Sequence, residues 1–109
     1  MATNYKVLGQ SNPSATTATS LYTVPAATQS IVSTITVCNQ AAAACTYRIA
    51  VRPTGAALAA QHYVAFDVSL PAYATDTLTL GVTLGATDVI TVYSSNATSS
   101  FNAYGSELS

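Results

Sequence analysis

Apolar and polar residues alternate with a period of two along most of the chain. Cys45, Tyr47, Ile49 and Val51 alternate with Thr46, Arg48, Ala50 and Arg52. That pattern predicts a strand whose apolar face points inward and whose two arginines point outward. Ile31, Ser33, Ile35 and Val37 alternate with Val32, Thr34, Thr36 and Cys38, and Leu78 and Leu80 alternate with Thr77 and Thr79. His62, Val64, Phe66 and Val68 are expected to share one face, opposite Tyr63, Ala65 and Asp67. Two more strands are read at 87–94 and 99–107, and shorter ones at Tyr5 to Leu8 and Leu21 to Val24. Thr, Val, Ile and Tyr dominate these runs, and they suit a pleated, half-buried surface.

Turn-forming residues separate the runs at intervals of roughly ten residues, the spacing of a sandwich or barrel. They include Asn12-Pro13-Ser14, Pro25-Ala26-Ala27, Asn39-Gln40, Pro53-Thr54-Gly55, Leu70-Pro71-Ala72, Gly85-Ala86-Thr87 and Ser94-Ser95-Asn96. About eight strands result, near 3–9, 20–24, 30–38, 45–53, 61–68, 76–81, 87–94 and 99–107. The only helix-friendly stretch, Gly55 to Ala60, is one turn long and opens with glycine. Short, evenly spaced strands without helical patterning predict an all-β fold, an antiparallel two-sheet β-sandwich. Jelly-roll and immunoglobulin-like strand orders both fit.

The length of 109 residues allows one core, so 1–109 is read as a single domain, with 1–20 a possible extended N-terminal arm. Only 6% of residues are charged, against about 25% in an ordinary soluble domain. Ala, Thr and Ser supply 20, 17 and 12 residues. Three basic residues at net charge −1 cannot line a groove that follows phosphates, so no nucleic-acid partner is expected. The polar start of the chain does not read as a secretory leader, and no run approaches the ~18 apolar residues of a membrane helix, so no membrane partner is expected either. The chain is expected to be made in a cytosol.

Candidate chemistry is sparse. His62 is the one histidine and reads as a rim or edge residue. Asp67 falls on the opposite face of the same strand, so the two form no base–orienter pair. Asp67, Asp76, Asp88 and Glu107 are the only carboxylates, and three of them lie at strand ends, where such residues stabilise turns. Cys38 and Cys45 lack a zinc-ligand set. They flank residues 39–44, read as a hairpin loop, so they either face each other across two strands or serve as small buried hydrophobes. Asn96-Ala97-Thr98 fits a glycosylation pattern that has no role without a secretory leader. No catalytic, cofactor-binding or metal site is expected, and no cofactor. Arg48 and Arg52 lie on one strand face about 13 Å apart and read equally as interface or as solvated charge. Tyr47 and Tyr93 read as core with a wet tip, while Tyr5, Tyr22, Tyr73 and Tyr104 are candidate contact anchors.

The shortage of ions suits a protein covered by neighbours, because burying an unpaired charge costs several kcal/mol while burying a Thr methyl costs none. Several segments also resemble a family. Tyr5-Lys6-Val7-Leu8-Gly9-Gln10, Leu21 to Thr28, Val37-Cys38-Asn39 and Phe101 to Glu107 together resemble small virion structural proteins of tailed bacteriophages, including phages of cyanobacteria. The resemblance implies a non-enzymatic virion component of β-sandwich character. The expected role is a capsid decoration (cement) protein that sits between major capsid subunits. Its expected partners are itself, as a homotrimer or other closed homo-oligomer, and a major virion protein such as the capsid protein. A tail, neck, baseplate or fibre component is the first alternative. A host-glycan-binding module presenting Tyr63, Tyr73 and Tyr104 is the second.

Overall fold

A computed structural model describes residues 2–109. Eight strands follow one another: β1 (Thr3–Ser11), β2 (Thr19–Thr23), β3 (Gln29–Asn39), β4 (Cys45–Arg52), β5 (Tyr63–Leu70), β6 (Thr75–Leu84), β7 (Val89–Ser94) and β8 (Ser99–Leu108). Helical content among the described residues is two single 3-10 turns, Pro53–Gly55 and Ala60–His62, which touch only the first and last residues of the stretch that looked helix-friendly. The strands form two four-stranded antiparallel sheets. The first runs β1-β8-β3-β6 and the second β2-β7-β4-β5.

This order selects the jelly roll over the immunoglobulin arrangement. Strand β1 pairs with β8, β2 with β7, β3 with β6 and β4 with β5. The chain is thus one long hairpin, rolled until β3 meets β8 and β4 meets β7. The two cysteines follow from this. Residues 40–44 are not a hairpin loop; they carry the chain from the first sheet to the second. Cys38 and Cys45 therefore stand on different sheets as free thiols, Cys45 buried and Cys38 half-buried. The segment read as a possible arm is built into the fold, with β1 hydrogen-bonded along β8 and residues 12–18 leading to β2.

Alternating residues of both sheets meet in the core. Val24, Val32, Ile35, Val37, Tyr47, Ile49, Leu70, Ile90, Val92 and Phe101 are at most 1% exposed. Tyr47 and Phe101 meet edge to face across the sheets at 6.3 Å, a favoured aromatic geometry. The Tyr47 hydroxyl donates to Asp76 at 2.8 Å, so the ring is buried while its polar tip is satisfied, as its alternation predicts.

Two irregularities reset the first sheet. Strand β3 bulges at Ser33, so Val32 rather than Ser33 shares the inner face with Ile35 and Val37. This corrects the regular alternation read from Ile31 onward. At the bulge β3 presses against β8, and a Cβ added to Gly105 would lie 2.0 Å from the Ile31 carbonyl oxygen. Only glycine fits there. On β6, Leu80 precedes Gly81, whose φ is +64°, and Leu80 is 39% exposed rather than matched with half-buried Leu78.

Polar residues lock the ends of the sandwich. Asn39 is fully buried; its amide donates to the carbonyls of Ala43, Leu70 and Pro71, and its oxygen accepts from the Ala41 amide and from Asn96. Asn96 also accepts from the hydroxyls of Ser94 and Ser99, so its side chain holds the β7–β8 turn. Asp88 accepts from the backbone N–H groups of Gly85 and Thr54, tying two turns together, which is the structural use expected of it.

Candidate interaction faces

Strand β5 departs most from its sequence reading, and it builds the more elaborate outer face. Tyr47 pairs with Val68 and Ile49 with Ala65, leaving both Phe66 and Asp67 opposite Arg48. Two residues facing one is a β-bulge, and Asp67 adopts φ +49° to make it. Among the described residues Asp67 is the only non-glycine within a strand at positive φ, which costs on the order of 1 kcal/mol. A second shift sets Tyr63 opposite Ala50, on the Arg48 side of β4. The expectation that Val64, Phe66 and Val68 share one face, opposite Ala65, is therefore corrected. Val64 and Phe66 are 50% and 55% exposed, while Ala65, Val68 and Leu70 turn toward the core.

The bulge assembles a cluster around Arg48. Its guanidinium carbon lies 4.2 Å from the Phe66 ring centroid and 4.3 Å from that of Tyr93, its cross-strand partner on β7. Both distances suit cation–π attraction, and Arg is the cation best shaped for stacking. The Arg48 Nε donates to Asp67 Oδ1 at 2.6 Å and Nη2 donates to Oδ2 at 3.3 Å. This contact raises the Arg48 pKa and holds the Asp67 carboxyl below its ordinary range. Tyr63 meets Phe66 edge to face at 4.9 Å. A shallow depression of about 390 Å³ opens between Ala60, Tyr63 and Phe66. Tyr93, read as core, is instead an outer-face ring under the arginine.

Arg52, on the same strand, does structural work. It donates to Thr91 Oγ1 at 2.9 Å and to the carbonyls of Ala56 and Gly55, pinning the turn after β4. His62 is buried rather than marginal, and its Nδ1 accepts from the Ala59 amide at 3.0 Å.

The first sheet presents a different outer face. Tyr5 and Val7 on β1, Tyr104 on β8 and Ile31 on β3 are exposed on it, from 86% for Tyr5 to 37% for Tyr104. Val7 pairs with Tyr104, and Ser106 lies between Tyr5 and Ile31, so the four residues form one patch. Beyond them, Thr34 pairs with Thr79, Thr36 with Thr77 and Cys38 with Thr75. Among the described residues no charged side chain points from this face. Lys6 and Glu107, on its strands, leave the sheet on the opposite side and pair there, with Nζ to Oε1 at 3.2 Å, Glu107 buried and Lys6 half-exposed at the sandwich edge. The Tyr22 hydroxyl donates to Glu107 and shares a hydrogen bond with Ser30. Burial and then the Glu107 contact push the Tyr22 pKa up to about 12, and the bond from Tyr22, aided by Lys6, holds Glu107 below its ordinary range. Tyr22, read as a contact anchor, is thus a buried member of this network.

Tyr63, Tyr73 and Tyr104 do not share a surface. Tyr63 stands on the second sheet, Tyr104 on the first, and Tyr73, 72% exposed, on the β5–β6 turn. No group of three or more metal-ligating side chains occurs among the described residues, and no helix among them is long and apolar enough to cross a membrane. Phe66 and Tyr93 were the residues sequence reasoning missed. The available signal was the step of three residues from Ala65 to Val68, where a regular strand steps by two.

The chain matches no family model, no curated protein and no solved structure.

Proposed function

We propose that this protein is a non-enzymatic structural component of a tailed-phage virion, made in the host cytoplasm, and within that class a capsid decoration protein. The observation that carries the reading is the uncharged outer face of the first sheet, with Tyr5, Val7, Ile31 and Tyr104 exposed on it. Such a face loses little on leaving water, because it has no ion to desolvate and its threonines keep hydroxyls available for hydrogen bonds. The segments resembling phage structural proteins supply the context, and the jelly roll is an architecture compatible with shell proteins, though fold alone assigns no role.

In this reading each copy lies with the first sheet against the junction between capsid subunits and associates with further copies as a homotrimer or other closed homo-oligomer. Bound copies stabilise the assembled shell by mass action, since they bind the closed lattice and not its dissociated subunits. Catalysis has no place in it. His62 is spent on a turn, Asp88 on two turns and Glu107 on a buried network.

The test is the copy number of this chain relative to the major shell protein in purified particles, by quantitative mass spectrometry. Hundreds of copies are expected for an icosahedral shell; roughly six to a few dozen would move the protein to the tail, neck, baseplate or fibre. Its absence from particles would remove the reading.

A further inference from the structure

The face around Arg48 is organised beyond what holding the sandwich together requires. A strained bulge delivers Phe66 and Asp67 to the same side of β5, although the regular alternation would bury one and expose the other. The result places more than half of an aromatic ring in water, beside a second ring and an ion pair. The floor is apolar, made by Ala60, Tyr63 and Phe66, and its volume of about 390 Å³ falls within the roughly 300–1,000 Å³ of small-ligand sites. The rim is polar. Asp67 keeps acceptor capacity beyond its two bonds to Arg48, and the Arg48 Nη1 group makes none of the side-chain bonds to Asp67. Arg48 and Asp67 cancel, so the site carries both a donor and an acceptor but no net charge.

From this juxtaposition of ring, apolar floor and neutralised ion pair, we infer that the bulged end of β5 is a binding subsite for a neutral saccharide. One sugar ring lays its C–H face on the side of Phe66 away from the Arg48 stack, in the depression that Ala60 and Tyr63 help to line, and its hydroxyls reach past the ring edge to Asp67 and Arg48. The balanced ion pair selects against anionic sugars, which would place a carboxylate or sulfate beside Asp67. The inference is independent of the virion reading, since it concerns the opposite face of the sandwich and is measured on the isolated chain.

The experiment titrates the isotope-labelled full chain with maltohexaose, cellohexaose, laminarihexaose and chitohexaose, and with an oligogalacturonate as the anionic comparison, followed by backbone and aromatic NMR shifts. At least one neutral hexasaccharide is expected to shift residues 60–67, Arg48 and Tyr93 saturably, with a dissociation constant on the order of 0.1–1 mM. Phe66→Ala should weaken that binding at least about tenfold. Asp67→Asn, whose side chain tolerates positive φ, should weaken it about tenfold with the fold intact by NMR. Tyr73→Ala and Tyr104→Ala should leave it unchanged. The inference is overturned if no neutral probe shifts this region at about 10 mM, if the anionic probe binds there better, or if binding maps elsewhere.

Discussion

The two outer faces of this sandwich solve the same problem in opposite ways. Each must place side chains in water using a chain with seven charged residues. The first sheet places none of them outward and presents Thr, Tyr, Val and Ile. The second concentrates Arg48 and Asp67 in one spot and surrounds them with three aromatic rings. The first surface is broad and chemically uniform, suited to lying against something equally broad. The second is local and directional, suited to something small. The difference shows that low charge content is a statement about placement: what matters is which face is left bare.

The comparison breaks most sharply if a charge is put on the bare face. Ile31→Lys should leave the isolated chain folded, because the site is 43% exposed, yet lower the proposed association with phage shells at least about 100-fold. The same charge on the other side, Val64→Lys, should change association by no more than about twofold. Co-sedimentation with particles lacking the protein measures both, and equal losses would erase the distinction between the faces.

A smaller effect is expected where Lys6 and Glu107 turn away from the bare face. Glu107→Gln leaves Tyr22 and Lys6 with a weaker partner in a buried network and should cost about 1–3 kcal/mol in urea unfolding at neutral pH. Glu107 titrates below its ordinary range in the fold. Its stabilising contribution is therefore present above the ordinary carboxylate pKa and is lost as pH falls through the lowered, folded value. The parent chain should lose stability in that acid window, and the variant should lose less.

The smallest effect is expected at the centre of the second face. Arg48→Lys keeps the charge but removes the flat guanidinium that fits between two rings. The ion pair is exposed to solvent, so the thermal midpoint should move by no more than about 2 °C, and added salt should shrink the change further. A large drop would mean that the Arg48 stack is a structural prop and not a prepared surface.

Much of the architecture was legible in the sequence because strand alternation and turn chemistry are local. All eight strands lie where the patterning put them, with ends differing by up to three residues. Leu70 and Leu84 are recovered at the ends of strands read too short, because the turn residues nearby obscured the last apolar position. Strand order was not legible, since it depends on contacts between residues as distant as Thr3 and Leu108. The bulges were not legible either. A single extra residue reverses every later side chain, neither Ser33 nor Asp67 announces itself as glycine would, and the one trace of the β5 bulge, the three-residue step from Ala65 to Val68, is masked by apolar Val64 and Phe66. Arg48 was recognised as outward-facing from its alternation, while the bulge hid that Phe66 leaves the face of Val68, and Tyr93 was read as core with a wet tip.

The rolled-hairpin connectivity also governs when the molecule can form. Strand β8, the last to be made, lies between β1 and β3 in the middle of the first sheet. On a ribosome, β1 must wait beside a vacancy until residues 99–108 emerge, so this sheet closes only after the other seven strands have been synthesised. Folding of this kind is slow for its length and leaves unpaired strands waiting in a crowded cell. The inward-facing Lys6 on β1 discourages a neighbouring chain from filling that gap first.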